Sequence, residues 1–192
     1  MAKQQRAKKT IVVTGRLLGG SIWEVNEKGK QTCNMTIDPK FVPLVEAAIK
    51  EVIAERWGNK PPKLNLEHAL RFGKDEEYHS FGHHYINASK WVGKDGEMLE
   101  VLAGVKVDGK FPKVGRNDPG APYAGCMIAV SIDVYTNDPA PPEMPMGGVF
   151  IGINRIKFQG HGERLSTRTS AEKDFEDFED VEEDELADAL LD

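Results

Sequence analysis

Cys126-Met127-Ile128-Ala129-Val130-Ser131-Ile132-Asp133-Val134-Tyr135-Thr136 repeats with a period of two. Cys126, Ile128, Val130, Ile132 and Val134 fall on one side of an extended chain, and Met127, Ala129, Ser131, Asp133 and Tyr135 on the other. That is a half-buried strand, and the same texture recurs around it. Gln31 to Ile37 puts Cys33, Met35 and Ile37 on one face, after a turn at Lys28-Gly29. Further strands are expected over Leu64–Phe72, His83–Lys90, Met98–Val107 and Gly148–Phe158. Ile11-Val12-Val13 and Ile22-Trp23 read as a strand bent or interrupted at Gly19-Gly20. Lys94-Asp95-Gly96 and Asp108-Gly109 are hairpin signals.

One helix interrupts this pattern. Asp38 suits an N-cap, Pro39 the first helical position and Gly58 a C-cap. Between them Phe41, Leu44, Val45, Ala48, Ile49, Val52 and Ile53 form one apolar stripe. Many short strands with a single capped helix predict a mainly β domain, a barrel or sandwich. The loops Pro112–Pro122 and Pro139–Pro145 are long for so small a β domain, which marks them as functional.

The chain has 192 residues, enough for one core that needs no disulfide or metal. No apolar run approaches a membrane span. The basic start is followed by too short an apolar stretch for a signal peptide. Two cysteines, Cys33 and Cys126, fit a reducing compartment, with the cytoplasm as the default location.

Charge is distributed unevenly. The net charge is −6, yet residues 171–192 hold twelve acids against Lys173 alone, a net of −11. The first 170 residues hold 24 Lys or Arg against 19 Asp or Glu, a net of +5. Residues 1–9 carry Lys3, Arg6, Lys8 and Lys9 without an acid and read as a flexible basic arm. The expected organisation is therefore an arm over 1–9, a folded domain over 10–170 and a disordered acidic tail over 171–192. A basic body with an acidic end points towards nucleic acid.

Catalytic signatures are weak. No GxGxxG, P-loop ending, HExxH or GxSxG is present. His79, His83 and His84 lie within six residues, and His79 to His83 has the spacing of a metal pair, but no CxxC accompanies them. A Ser/His/Asp triad has no local signature, since its members meet only in space. The expected cofactor set is empty, and a metal-dependent nuclease using these histidines is the enzymatic alternative.

Basic residues interleaved with rings are the stronger signal. Exposed rings stack on unpaired bases while Lys and Arg follow the phosphates. Phe72, Phe150 and Phe158 are read as core. Tyr85, Trp91, Tyr123 and Tyr135, beside polar or glycine-rich neighbours, are the expected stacking platforms. Lys74, Lys90, Arg116, Arg155 and Lys157 are the expected phosphate contacts. The acidic tail would compete with DNA for the basic groove, with Phe175, Phe178, Leu190 and Leu191 as apolar anchors for partner proteins. A virion component or adaptor, with all rings in the core, is the structural alternative.

Tyr85-Ile86-Asn87-Ala88-Ser89, Pro122-Tyr123-Ala124-Gly125-Cys126 and Ile153-Asn154-Arg155-Ile156-Lys157-Phe158 with Gly162-Glu163-Arg164 resemble a family of bacteriophage single-stranded DNA-binding proteins. The resemblance spans most of residues 10–170. It implies an OB-fold barrel that coats single-stranded DNA in phage replication or recombination, without enzymatic activity. It further implies the cytoplasm of the infected bacterium, replication or recombination proteins as tail partners, and self-association on DNA.

Overall fold

A computed structural model describes residues 6–66, 68–92, 96–138 and 147–165. Its strands are β1 (Lys8–Gly19), β2 (Lys30–Thr36), β3 (Leu64–Asn65), β4 (Arg71–Phe72), β5 (His84–Trp91), β6 (Glu100–Leu102), β7 (Met127–Asn137) and β8 (Gly147–Gly160), with one α-helix, α1 (Val42–Trp57). Five of the strands close a ring. β1 pairs antiparallel with β2 and with β7, β2 with β5, and β7 with β8. The ring shuts where β5 runs parallel to β8, with Ser89 opposite Gly152. This is the five-stranded barrel of the OB-fold. Short β3, β4 and β6 extend its edges.

The period-two alternation is what the barrel needs, because one side of every strand fills the interior. Cys126, Ile128, Val130, Ile132 and Val134 are all fully buried, as are Cys33 and Met35 from β2 and Ile37 just after it. Ile11, Val13 and Leu17 from β1 and Ile86 and Ala88 from β5 complete the layer. Inside the same core sits Gln31, 1% exposed. Its Nε2 donates to the Ile22 carbonyl at 2.8 Å and its Oε1 accepts from the Leu99 N–H at 2.6 Å. One amide thereby satisfies two loop backbone groups that burial would otherwise leave without partners.

The helix forms where expected, but its entry differs. Asp38 accepts from the Lys40 N–H and caps a 3-10 turn over Pro39–Phe41, and the α-helix proper begins at Val42. Gly58, at φ 60°, ends it and donates to the Ala54 carbonyl. Val45, Ala48 and Val52 join the barrel core, with Phe41, Ile49 and Ile53 packed against it. Leu44, expected on the stripe, is 42% exposed.

Three further expectations are corrected. β1 starts at Lys8, so Lys8 and Lys9 belong to the strand rather than the arm. Pairing with β7 orders them, Lys8 opposite Tyr135 and Lys9 opposite Val134. The strand expected over Leu64–Phe72 is reduced to β3 and β4, separated by a turn, and that over Met98–Val107 to β6. β8 can pair with only one stretch at a time along that edge, and β3, β5 and β6 share it in succession. Asp108-Gly109 does form the expected hairpin turn, with φ of 50° and 76° and paired Val107–Lys110 backbone bonds. The Lys94-Asp95 part of the other turn, the loop Pro139–Pro145 and the acidic tail lie outside the described residues.

Candidate nucleic-acid interface

The outer face of the barrel follows from the same alternation. Opposite the core positions of β2 and β5 stand four cross-strand pairs: Lys30 with Trp91, Thr32 with Ser89, Asn34 with Asn87, and Thr36 with Tyr85. None of the eight is acidic. Tyr85 and Trp91 lie six residues apart on one strand, a span of about 20 Å. Trp91 is 65% exposed, its ring resting against Gly29 at the base of the β1–β2 loop.

The face continues across the ring closure. Ser89 pairs with Gly152, and Gly152 with Asp133 of β7. Two residues along, Phe150 pairs with Tyr135. Their rings stack with centroids 6.0 Å apart, and His68 also stacks on Phe150 at 5.3 Å. Gly152 leaves this surface open, because a Cβ there would already touch the Tyr135 ring. Burial pushes the Tyr135 phenol above its ordinary pKa, Asp133 adding to the rise and Arg6 opposing it. The ring is therefore neutral at physiological pH. Among the described residues, Asp133 is the carboxylate of this patch. Burial raises its pKa, but hydrogen bonds from Thr10, Asn154 and Lys8 outweigh that and hold it below the usual carboxylate value. Lys8 Nζ lies 3.1 Å from it and neutralises the charge.

Beside Tyr85, Arg71 of β4 is its direct pairing partner, and Lys74 shares a shallow groove with Tyr85, Leu70 and Phe72. Phe72, read from sequence as core, is 49% exposed and meets His84 edge-on. Tyr78 and Phe81 are exposed nearby at 64% and 47%. Phe158 is in the core as expected, and Phe150 is half-buried.

The remaining expected contacts lie elsewhere. Lys90 has the parity of the core positions, and its Nζ donates to the Met98 carbonyl at 3.3 Å. Arg155 is paired to Glu100, which Lys113 also holds at 3.0 Å. Those two bonds keep the Glu100 pKa low. Lys157 lies over the Phe111 ring at 4.3 Å. Tyr123 and Arg116 line a separate cleft of about 600 Å³ with Trp23, His161 and Arg164. Thus Tyr85, Trp91, Tyr135 and Lys74 come together around one face, and Tyr123 with Arg116 around another. Lys30, Asn34, Asn87, His68 and Phe150 were missed. Asn34 could have been found as the polar position between Cys33 and Met35, and Lys30 by extending the same parity back along the strand.

Among the described residues, no three His, Cys, Asp or Glu side chains lie close enough together to hold a metal ion. His84 is engaged with Phe72, while His79 and His83 are exposed. Cys33 and Cys126 are buried, and burial, reinforced by the neighbouring thiol, pushes Cys33 up to about 12. Such a thiol is not a nucleophile at neutral pH. No described helix is long and apolar enough to cross a membrane.

A family model described as "Enterobacter phage Enc34, ssDNA-binding protein" matches residues 23–187. Protein p50 of Acyrthosiphon pisum secondary endosymbiont phage 1 is 26% identical over 170 residues, covering 82% of this chain and 84% of that protein. The solved single-stranded DNA-binding protein from bacteriophage Enc34 superposes with a TM-score of 0.58 at 11% identity, over 88% of this chain and 89% of that one. The same phage protein in complex with single-stranded DNA gives 0.57 at 11% identity, over 83% of this chain and 90% of that one. At such identity the structural likeness is one of fold.

Proposed function

The chain belongs to the phage Enc34 single-stranded DNA-binding protein family, and from that premise we propose that it binds single-stranded DNA with little sequence preference on the outer face of β2, β5, β8 and β7. The observation that carries this reading is the acid-free β2–β5 face bounded by Tyr85 and Trp91. Hydrogen-bonding Asn, Ser and Thr side chains lie between the rings, so bases can stack at either end and their edges meet donors and acceptors in the middle. Lys30, Arg71 and Lys74 supply positive charge along its borders. The protein acts as a coat, without catalysis, in replication or recombination of phage DNA. Its acidic tail, by this reading, competes with phosphates and recruits basic partner proteins when DNA displaces it.

The test is fluorescence anisotropy with a labelled oligo-dT across salt concentrations, competed by duplex of equal length. The expected result is preference for the single strand and an affinity falling linearly with log salt. Absence of binding at low salt, with the tail present and with it deleted, would overturn the proposal.

A further inference from the structure

The cleft around Tyr123 is unused by the face described above. It lies at an open end of the barrel, where β1 finishes at Gly19. Its walls come from the β1–β2 loop, from the segment that leads into β7 and from the residues after β8. Four features make it a built site rather than a gap between loops. The Tyr123 hydroxyl donates to the Gly162 carbonyl at 2.9 Å and accepts from the Gly162 N–H at 3.2 Å, fixing the ring. The Arg164 guanidinium lies over that ring, 4.4 Å from its centroid. Arg16 donates to the carbonyls of Gly125 at 3.2 Å and Glu163 at 3.0 Å, tying the two walls together. Arg116, from the segment that leads into β7, pairs with Glu24 at 3.8 Å.

Two guanidinium groups and two further rings, Trp23 and His161, therefore surround one volume of about 600 Å³. A guanidinium binds phosphate through paired N–H donors, and a ring accepts a planar base. The β1–β2 loop joins this cleft to the sheet face: Gly29 at its end lies under Trp91, and Trp23 near its start lines the cleft. A strand leaving the face past Trp91 has this loop as its border.

We propose that the cleft is a second nucleotide subsite, which takes a base against Tyr123 or Trp23 and a phosphate on Arg116 and Arg164 from the same strand that occupies the face. The proposal rests on the single-stranded DNA reading but is separable from it. A strand too short to leave the face should be indifferent to the cleft, whereas a longer one should gain affinity from it.

The experiment measures affinity for oligo-dT from about 5 to about 30 nucleotides, a range that brackets OB-fold site sizes, for the full chain and for Arg116→Ala/Arg164→Ala. The expected result is unchanged affinity for the shortest oligonucleotides that bind and a loss of about tenfold for longer ones. Equal loss at every length, or no loss at any, would overturn the subsite while leaving binding by the face intact. No binding by either protein would instead overturn the parent reading. A second measurement needs no mutation: photo-crosslinking of iodouracil-substituted oligonucleotides, mapped by mass spectrometry. Adducts on Trp23 or Tyr123 from long strands are expected. Adducts confined to the face residues Tyr85, Trp91 and Tyr135 would overturn the cleft assignment.

Discussion

Ser89 of β5 stands opposite Gly152 of β8 in a parallel pairing that closes the barrel. This contact also fuses two surfaces that are distant in sequence. On one side lies the Tyr85–Trp91 strand, and on the other the Tyr135–Phe150–His68 stack. Without it the rings would sit near opposite edges of one open sheet. With it they border one surface, and the predictions below depend on that continuity.

Trp91→Ala is expected to weaken single-stranded DNA binding by about 1–3 kcal/mol, the range for loss of one base–ring stack. The ring is 65% exposed, so folding should be little affected. Anisotropy titration beside a thermal melt checks both halves. Full affinity in a folded variant would remove Trp91 from the interface.

Gly152 offers a test of the face that removes no ring. A Cβ there would sit 3.5 Å from the Tyr135 ring and 3.7 Å from the Asp133 Cβ, which is ordinary contact. Gly152→Ala should therefore bind DNA nearly as the parent does. Gly152→Leu should stand between Tyr135 and Ser89 and reduce affinity by about 1 kcal/mol or more, a stacking contact's worth. If both variants bind equally, DNA does not cross the β5–β8 seam.

How far the sequence reached depends on what each signal reports. Alternation in Cys126–Thr136 and Gln31–Ile37 reports one-sided burial, so core and strand type were legible there. Capping signals found α1 within a few residues, because Asp38, Pro39 and Gly58 act locally. The ring closure was not legible from the residues themselves, since Ser89 and Gly152 meet through tertiary pairing alone. For the same reason Tyr123 looked like a companion of Tyr85 in sequence chemistry but lines a different cleft. Phe72 was misjudged because a large ring signals core on average, and β4 is too short and peripheral to bury it. Lys90 was chosen by composition alone, whereas its parity with Ile86 and Ala88 places it on the core side of β5.

Gln31 predicts a stability effect with no binding counterpart. Replacing it by Ala leaves the Ile22 carbonyl and the Leu99 N–H without their side-chain partners, at about 1–3 kcal/mol for each unsatisfied group. Leu at this position keeps the volume but not the bonds and should also destabilise. Urea unfolding of both variants measures the loss. Stability within about 0.5 kcal/mol of the parent would mean that water replaces the amide at no cost.

Asp133 predicts an acid-sensitive contribution. Its folded pKa lies below the ordinary value, with burial opposing and the Thr10, Asn154 and Lys8 bonds prevailing. A depressed folded pKa means that the unfolded chain takes up a proton first as pH falls. The contribution is therefore complete above the unfolded pKa of about 3.9 and disappears as pH falls through the folded value. Asp133→Asn should lower stability at pH 7 and narrow the difference from the parent near pH 3. Urea midpoints at the two pH values give the comparison, and an equal difference at both would show that the carboxylate charge contributes nothing.

Deleting residues 171–192 removes a net charge of −11 and leaves a body at +5. Tethered acids reach the basic face at high effective concentration, whereas the same acids free in solution do not. The truncated chain should therefore bind oligo-dT more tightly at low salt. The gain should shrink as ionic strength rises, because screening weakens both the tail's attraction and the DNA's. A synthetic peptide of residues 171–192 added in trans should restore little inhibition at equal concentration. Identical affinities of full-length and truncated protein at low salt would show that the tail does not compete for the DNA-binding face, leaving partner recruitment as its remaining proposed role.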